Sequence, residues 1–448
     1  MLYDIVERSL KLCSRYGFNE FEVYVVNDVG TEVLGIDKGV EKVVSGEEFL
    51  LGVRVVMGRK VCVYGGMVSR VEDVDVLVNS ASKIVRTLPE DRGWVSLPKK
   101  LGTSVVEGIV DVGIKDLELD RYVELVNYMI KKPRDVDRRA FTTNVNMYLG
   151  YVRRVITNNY GDVVEDERTR TSISVSVKVV DNGDESGYTE NYSAPNLSRF
   201  NPDELVVKAV EGAVRGLRSK RVYTGSYDVV LMPRVFTSLI NSLIAPALCA
   251  DQVQKGRSPL KGMLGLKVFS EDITVVDDGT YPGMLGSKCF DDEGIPTKRK
   301  VLIDKGVLMS YLYDTYTANI DSKESTGNAF RPTPHTVPKP WISNIVVERG
   351  NYELDTLISE LRNGLVIYDV IGMWLSNPVS GLLNATVANA VYVDRGDVKH
   401  SVKGVVITGD VYELLKTDEV VLTSSKEILG RYEVPAVYIP KISVAGEG

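Results

Sequence analysis

Ser172-Ile173-Ser174-Val175-Ser176-Val177-Lys178-Val179 alternates polar and apolar residues without a break. Successive side chains of a strand point to opposite faces, so the stretch predicts a strand with its branched residues buried and its serines wet. Upstream, Asn144–Thr157 is a plausible antiparallel partner, joined through a turn at Asn158-Asn159-Tyr160-Gly161. Downstream, Asn201, Pro202 and Glu204 have the form of a helix start: an N-cap, a proline at the first position and a capping-box acid. Leu205, Ala209, Ala213 and Leu217 then recur every fourth residue along one face.

The same mixture extends both ways. An amphipathic helix over residues 3–16 places Val6, Leu10 and Cys13 on one face, and short strands are predicted at 21–26, 31–36 and 50–56. Met57-Gly58-Arg59-Lys60 reads as a hairpin turn, and residues 71–87 as a second helix striped by Val74, Val78, Ala81, Ile84 and Val85. Beyond residue 222, a strand at Tyr227–Met232 leads into a helix starting near Pro233. Hairpins are predicted at Asp304-Lys305-Gly306 and Asp394-Arg395-Gly396, a helix over 353–362 capped by Asn351 and Gly364, and a final strand at 434–439. The reading is an α+β protein of three parts: an N-terminal α+β domain (1–97), a middle antiparallel β/α domain (98–221) and a large C-terminal domain (222–448), mainly antiparallel with packed helices.

Bulk properties narrow the function. With 448 residues, 44% of them hydrophobic and 26% charged, the chain has the composition of a globular protein of several domains. No apolar run approaches the roughly 18 residues of a membrane span, and the N-terminus lacks the apolar core of a signal peptide, so a cytoplasmic location is expected. A net charge of −7 disfavours a nucleic-acid surface. The basic clusters Lys131-Lys132-Pro133-Arg134, Arg138-Arg139 and Arg218-Ser219-Lys220-Arg221 read as solvated surface. Cys13, Cys62, Cys249 and Cys289 are far apart and read as small buried hydrophobes.

Chemistry-bearing patterns are sparse. There is no Gly-x-Ser-x-Gly, no Gly-x-Gly-x-x-Gly and no P-loop. The two histidines, His335 and His400, have no companion ligand nearby in sequence, and His400 is expected to be exposed on a hairpin arm. The helix after Pro233 carries no His, Glu or Asp through Ala250; Phe236, Leu239, Ile240, Leu243 and Ile244 mark it as a core helix. Phe290-Asp291-Asp292-Glu293-Gly294 offers three consecutive carboxylates without the spacing of an EF-hand loop. Neighbouring side chains on extended backbone diverge, so these acids are expected to satisfy loop donors, with Gly294 in a conformation other residues avoid. Arg331, in the proline-rich stretch after Ser325-Thr326-Gly327-Asn328-Ala329, reads either as a grip for a peptide carboxylate or carbonyl or as a brace for its loop. Tyr311, Tyr313 and Tyr316 suit a cleft lining or, more commonly, sheet packing.

Three phrases in order, Ser258-Pro259-Leu260-Lys261-Gly262, Phe290-Asp291-Asp292-Glu293-Gly294-Ile295-Pro296-Thr297 and Ser325-Thr326-Gly327-Asn328-Ala329, resemble the C-terminal domain of the TldD/PmbA family. Looser likeness extends over most of the chain. The catalytic TldD branch carries a His-Glu-x-x-x-His helix that binds a metal, which this sequence lacks, so the chain resembles the PmbA (TldE) branch. One departure stands out. PmbA-like chains follow the Ser380-Gly381 position with an aromatic, glycine-rich stretch, where this one has Leu382-Leu383-Asn384-Ala385-Thr386.

The resemblance implies a non-catalytic subunit with no catalytic, cofactor or metal residue of its own. A TldD-like partner supplies zinc, and the pair cleaves unfolded peptides or leader peptides in an enclosed chamber. Strand addition is the expected mode of peptide binding. Asp291, Asp292, Asn328 and Arg331 are the candidate chamber or peptide contacts. A homodimer alone is a further expectation, and neither membrane nor nucleic acid is an expected partner. The alternative is a regulatory protein-binding module, as the family name "modulator of DNA gyrase" implies.

Overall fold

The computed structural model describes residues 1–447. Its first layer is a six-stranded antiparallel sheet of β1 (Glu20–Ile36), β2 (Gly39–Met57), β3 (Lys60–Met67), β4 (Ala140–Asn158), β5 (Val163–Asp181) and β6 (Asp184–Ala194), in the order β3-β2-β1-β4-β5-β6. β1 pairs with β4 along its length, for example Gly30 with Gly150, so the residues on either side of position 97 share one sheet. The predicted pairing of 144–157 with 172–179 holds, with Val145 opposite Val175 and Met147 opposite Ile173.

Strand alternation assigns two jobs to this sheet. Odd-numbered side chains such as Val23, Val25, Val53, Val145, Met147, Ile173 and Val175 are buried beneath four helices: α1 (Leu2–Tyr16), α2 (Asp73–Thr87), α3 (Leu119–Lys131) and α4 (Pro202–Arg215). The other face carries Glu22, Tyr24, Val26, Arg54, Val152, Arg154 and Ile156, all buried, because the C-terminal domain covers it there. The predicted strands at 21–26 and 31–36 are one strand, β1. The polar residues between them continue it because both of its neighbours pair straight through, Asp28 lying opposite Glu48 and Val152. α4 begins as expected, with Asn201 accepting the N–H groups of Asp203 and Glu204. Glu204 closes no capping box; it turns outward to pair with Lys208 at 3.0 Å.

In the C-terminal domain, Gly225–Leu231 pairs with both Asn363–Ile371 and Tyr432–Ala445, which closes those strands with Leu382–Asp394 and Val406–Asp410 into a barrel. α5 (Pro233–Leu239) sits in its core, where Phe236, Leu239 and Leu243 share one buried cluster with Val229, Leu365, Ile407 and Val437. The helix widens at Ile240–Ile244 into a π-turn, with the Ala245 N–H bonded to the Ile240 carbonyl. Pro246 lacks an N–H for the Ser242 carbonyl, so the ordinary spacing cannot continue through it. Both predicted hairpin turns form, with Lys305-Gly306 and Arg395-Gly396 at positive φ as a primed two-residue turn requires.

Several expectations need correction. The helix near 353–362 is shorter, Leu354–Glu360, and is capped by neither Asn351 nor Gly364; Gly364 lies in the strand Asn363–Ile371 instead, opposite Val393 and Asp228. His400 is half-buried, its ring 5.4 Å from that of Tyr392 across the hairpin. The basic clusters lie at the surface beside acids, as in Lys132–Asp203 and Arg139–Asp137. Cys13, Cys62 and Cys249 are buried thiols, Cys289 is half-buried, and all four are free. No helix among the described residues is long and apolar enough to cross a membrane.

Candidate functional site at the seam between the sheet and the C-terminal domain

The sheet and the C-terminal domain meet at the loop 290–297, and each residue of its acidic run faces a different element. Phe290 is fully buried among Tyr24, Val26, Leu101, Val152 and Ile156, with the Arg154 guanidinium 4.6 Å above its ring. Asp291 stays within the domain: its carboxylate accepts the N–H groups of Glu293 (2.9 Å), Ile295 (3.0 Å) and Ala329 (2.9 Å). Asp292 accepts from the Arg331 N–H (2.8 Å), Lys288 Nζ (3.1 Å) and, across the seam, Arg154 Nη1 (2.9 Å). Glu293 accepts from Arg54 on β2 (2.7 Å) and from the Thr315 N–H (2.8 Å). Gly294 takes φ +80° to turn the chain, and a Cβ there would press on Leu101. The expectation that the three acids diverge and satisfy loop donors is met, and two of them also bond the domains together.

Arg331 is a brace. Its guanidinium is buried, pairs with Glu22 on β1 and donates to the Pro334 carbonyl at 3.2 Å. Glu22 in turn accepts from Arg54 at 2.6 Å, so Arg331, Glu22, Arg54 and Glu293 form a chain of alternating charge. Room for this loop comes from a cross-strand pair of glycines, Gly52 and Gly65, where added Cβ atoms would collide with the Pro334 backbone and the His335 side chain. Asn328 is likewise committed, donating to Asp277 (2.9 Å) and the Trp341 carbonyl (3.0 Å). Tyr311 and Tyr313 pack into the barrel core, and Tyr316 bonds Asp91 at 3.0 Å.

Burial and pairing set the protonation of this cluster. Burial opposes charge on Asp292, yet Lys288, Arg154 and the Arg331 N–H outweigh it and hold the carboxyl at about 2. Glu293 is also held down, its burial overcome by Arg54 and Arg331. Asp291 and Asp314 go the other way: burial, then the nearby Glu293 charge, pushes each up to about 7.

Beside the seam lies a cavity of about 320 Å³, with Asp292, Asn328 and Arg331 in its wall together with Arg154, Arg168, Lys288 and Arg431. Asp291 lies behind the wall. Leu285 and Arg431 also border a second hollow of about 430 Å³, lined by Arg234, Thr237, Ser238 and Asn241 of the α5 segment and by Glu190, Asn191 and Ser193 of β6. β6 is an edge strand, so a groove runs along unpaired backbone. No group of three or more His, Cys, Asp or Glu side chains suited to a metal ion occurs among the described residues.

The sequence reading missed Glu22, Arg54, Arg154, Arg168, Lys288 and Arg431. A signal existed for Arg154: it occupies the phase of Val152 and Ile156 in β4, a charge at an inward position. Its partners could not be read there.

A family model described as the PmbA/TldA metallopeptidase C-terminal domain matches residues 224–446, and one for the central domain matches 113–217. The chain belongs to the PmbA/TldD metallopeptidase family. A Methanocaldococcus jannaschii protein without an assigned function is 29% identical over 436 residues, spanning 96% of this chain and 98% of that one. The fold is that of TldE from Thermococcus kodakarensis, with a TM-score of 0.90 at 23% identity, covering 99% of this chain and all of that one (100%). A candidate modulator of a DNA gyrase from Thermotoga maritima has a TM-score of 0.87 at 21% identity over 99% of this chain and 100% of the other.

Proposed function

We propose that this chain is a TldE-type subunit that binds no metal itself and completes the peptide-holding chamber of a zinc-bearing, TldD-like partner. The observation that carries the reading is the groove between β6 and the α5 segment. Its wall carries Arg234, Thr237, Ser238 and Asn241 of the α5 segment, the helix to which the family resemblance assigns the metal site of the catalytic branch. Arg234 is engaged by Asp369 at 3.3 Å, Glu190 at 3.5 Å and the Thr189 carbonyl at 2.8 Å. The free edge of β6 offers main-chain donors and acceptors to an extended peptide, a mode that gives affinity with little demand on sequence. Ile371, Trp374, Leu375, Val379 and Leu382 are exposed apolar residues close together in sequence, which suits contact with another protein.

Reconstitution tests the reading. The chain alone is expected to hold no stoichiometric transition metal by elemental mass spectrometry and to leave casein intact. With a TldD-like partner, casein is expected to be degraded faster than by the partner alone. About one metal per purified chain, or casein cleavage by the chain alone, sinks the proposal. The second reading, a regulatory protein-binding module, has the fold likeness to the gyrase-modulator candidate behind it. It gains if the pair forms but cleaves no better than the partner alone.

A further inference from the structure

The cavity at the seam has an excess of positive charge that the protein leaves uncompensated. Arg154 is paired by Asp166 (2.5 Å) and Asp292 (2.9 Å), Lys288 by Asp292 (3.1 Å), Arg170 by Asp28 (2.6 Å) and Arg331 by Glu22. Arg168 and Arg431 remain. Among the described residues, Arg168 makes no side-chain hydrogen bond and meets no carboxylate at ion-pair distance, although it lines the cavity wall beside Arg154. Arg431 donates to the Ile342 carbonyl at 3.3 Å and has no acidic partner. Four polar atoms of other cavity residues are buried with no partner in the protein. Three are donors, Nε of Arg170, Nε of Arg331 and Oγ1 of Thr333, and one is an acceptor, Oδ1 of Asp28, whose second oxygen is held by Arg170.

Arg168 and Arg431 are half-buried on the cavity wall. A desolvated guanidinium loses hydration that only an acceptor can replace, and an unpaired buried donor carries its full desolvation penalty. Arginine's planar fork matches a two-oxygen anion, and two forks beside a third, saturated one make a site selective for negative charge. Burial and the neighbouring Arg154 push the Arg168 guanidinium down from its ordinary value.

Position narrows the anion. Arg431 and Leu285 belong to both this cavity and the groove beside Asn191 and Ser193 of β6. A main chain added along that edge runs toward the two arginines. We propose that the seam cavity is an oxyanion site in which Arg168 and Arg431 receive the terminal carboxylate of a peptide extended along β6. The site thereby selects peptides with a free C-terminus. The inference deepens the subunit reading above, but it concerns binding by this chain alone.

The test is titration calorimetry on the intact chain, at low ionic strength, with an N-acetylated octapeptide as the free acid, the same peptide as its C-terminal amide, and inorganic phosphate. The free acid is expected to bind at least about tenfold more tightly than the amide. Arg168→Gln and Arg431→Gln are each expected to erase most of that difference, and Arg168→Lys is expected to restore part of it. Unchanged thermal unfolding of the Arg168 variants keeps a folding defect out of the comparison. Equal binding of acid and amide overturns the proposal, as does no binding of either. Phosphate binding that depends on Arg168 without an acid preference also overturns it, and assigns the cavity to phosphate. If the free acid binds through Arg168 but the reconstituted pair fails to cleave casein, the subunit reading falls and the carboxylate site stands.

Discussion

The barrel core around α5 and the seam beneath the sheet are both buried, yet one is built from hydrocarbon and the other from charge. Around α5, Phe236, Leu239, Leu243, Val229 and Ile407 exclude water without a polar partner among them. At the seam, Glu22, Arg54, Glu293 and Arg331 are comparably buried and are held by one another, and the buried Arg154 is held by Asp166 and Asp292. An apolar core tolerates repacking because dispersion and hydration are non-directional. A buried ion network does not, since removing one member strands the rest. The barrel therefore supplies stability, and the seam fixes one arrangement of the sheet on the C-terminal domain.

The largest effect is expected from breaking the seam. Arg154→Met leaves Asp166 buried without its cation and Asp292 with Lys288 alone, and is expected to cost about 3–5 kcal/mol in urea unfolding. A loss below about 1 kcal/mol would mean that the network does not hold the domains. Leu243→Ala, on the other side of the comparison, is expected to cost about 2–5 kcal/mol through cavity formation, with no change in salt dependence.

A pH series sharpens the contrast. Asp314, held up at about 7 by burial and by Glu293, binds a proton more tightly in the folded state than in the unfolded one. The native chain thus carries more protons between about pH 4 and pH 7, and this residue makes stability fall as pH rises through that window. Asp314 caps the helix Thr315–Ile320, accepting the Thr317 N–H. Asp314→Asn keeps a capping residue there and is expected to flatten that slope, raising stability at pH 8 by roughly 1–3 kcal/mol relative to pH 4. Asp291 contributes a slope of the same sign, so the profile does not become level. Asp292 has the opposite sign: its carboxyl sits at about 2, so its contribution is present above about pH 4 and is lost as pH falls toward 2. Arg168→Gln is the smallest case. Removing an unpaired guanidinium is expected to leave stability unchanged or raise it by up to about 1 kcal/mol, in contrast to Arg154. A clear loss would show that Arg168 has a partner within the fold.

Much of this architecture was legible in the residues. Ile173 to Val179 alternate and lie buried in β5, Asn201 caps α4, and the Asp304 and Asp394 hairpins turn where predicted. These features depend on neighbours within a few positions, which sequence displays directly. The divergence of Asp291, Asp292 and Glu293 followed from the same local geometry. Arg331 was ambiguous between grip and brace because its partner Glu22 lies 309 residues away. The caps assigned to Asn351 and Gly364 failed for a similar reason: Gly364 is drawn into a strand by Asp228 and Val393, a pull exerted by tertiary pairing alone.

By itself, then, the sequence determined the alternation that makes the sheet two-faced, the turns that set its hairpins, and a helix after Pro233 without histidine or acid on it. It also determined the three phrases that carry the family. Tertiary structure decided which charges meet, which arginines are saturated and which are left facing the cavity. Periodicity is a property of neighbours along the chain, whereas an ion pair is chosen by whatever the fold brings within a few ångströms.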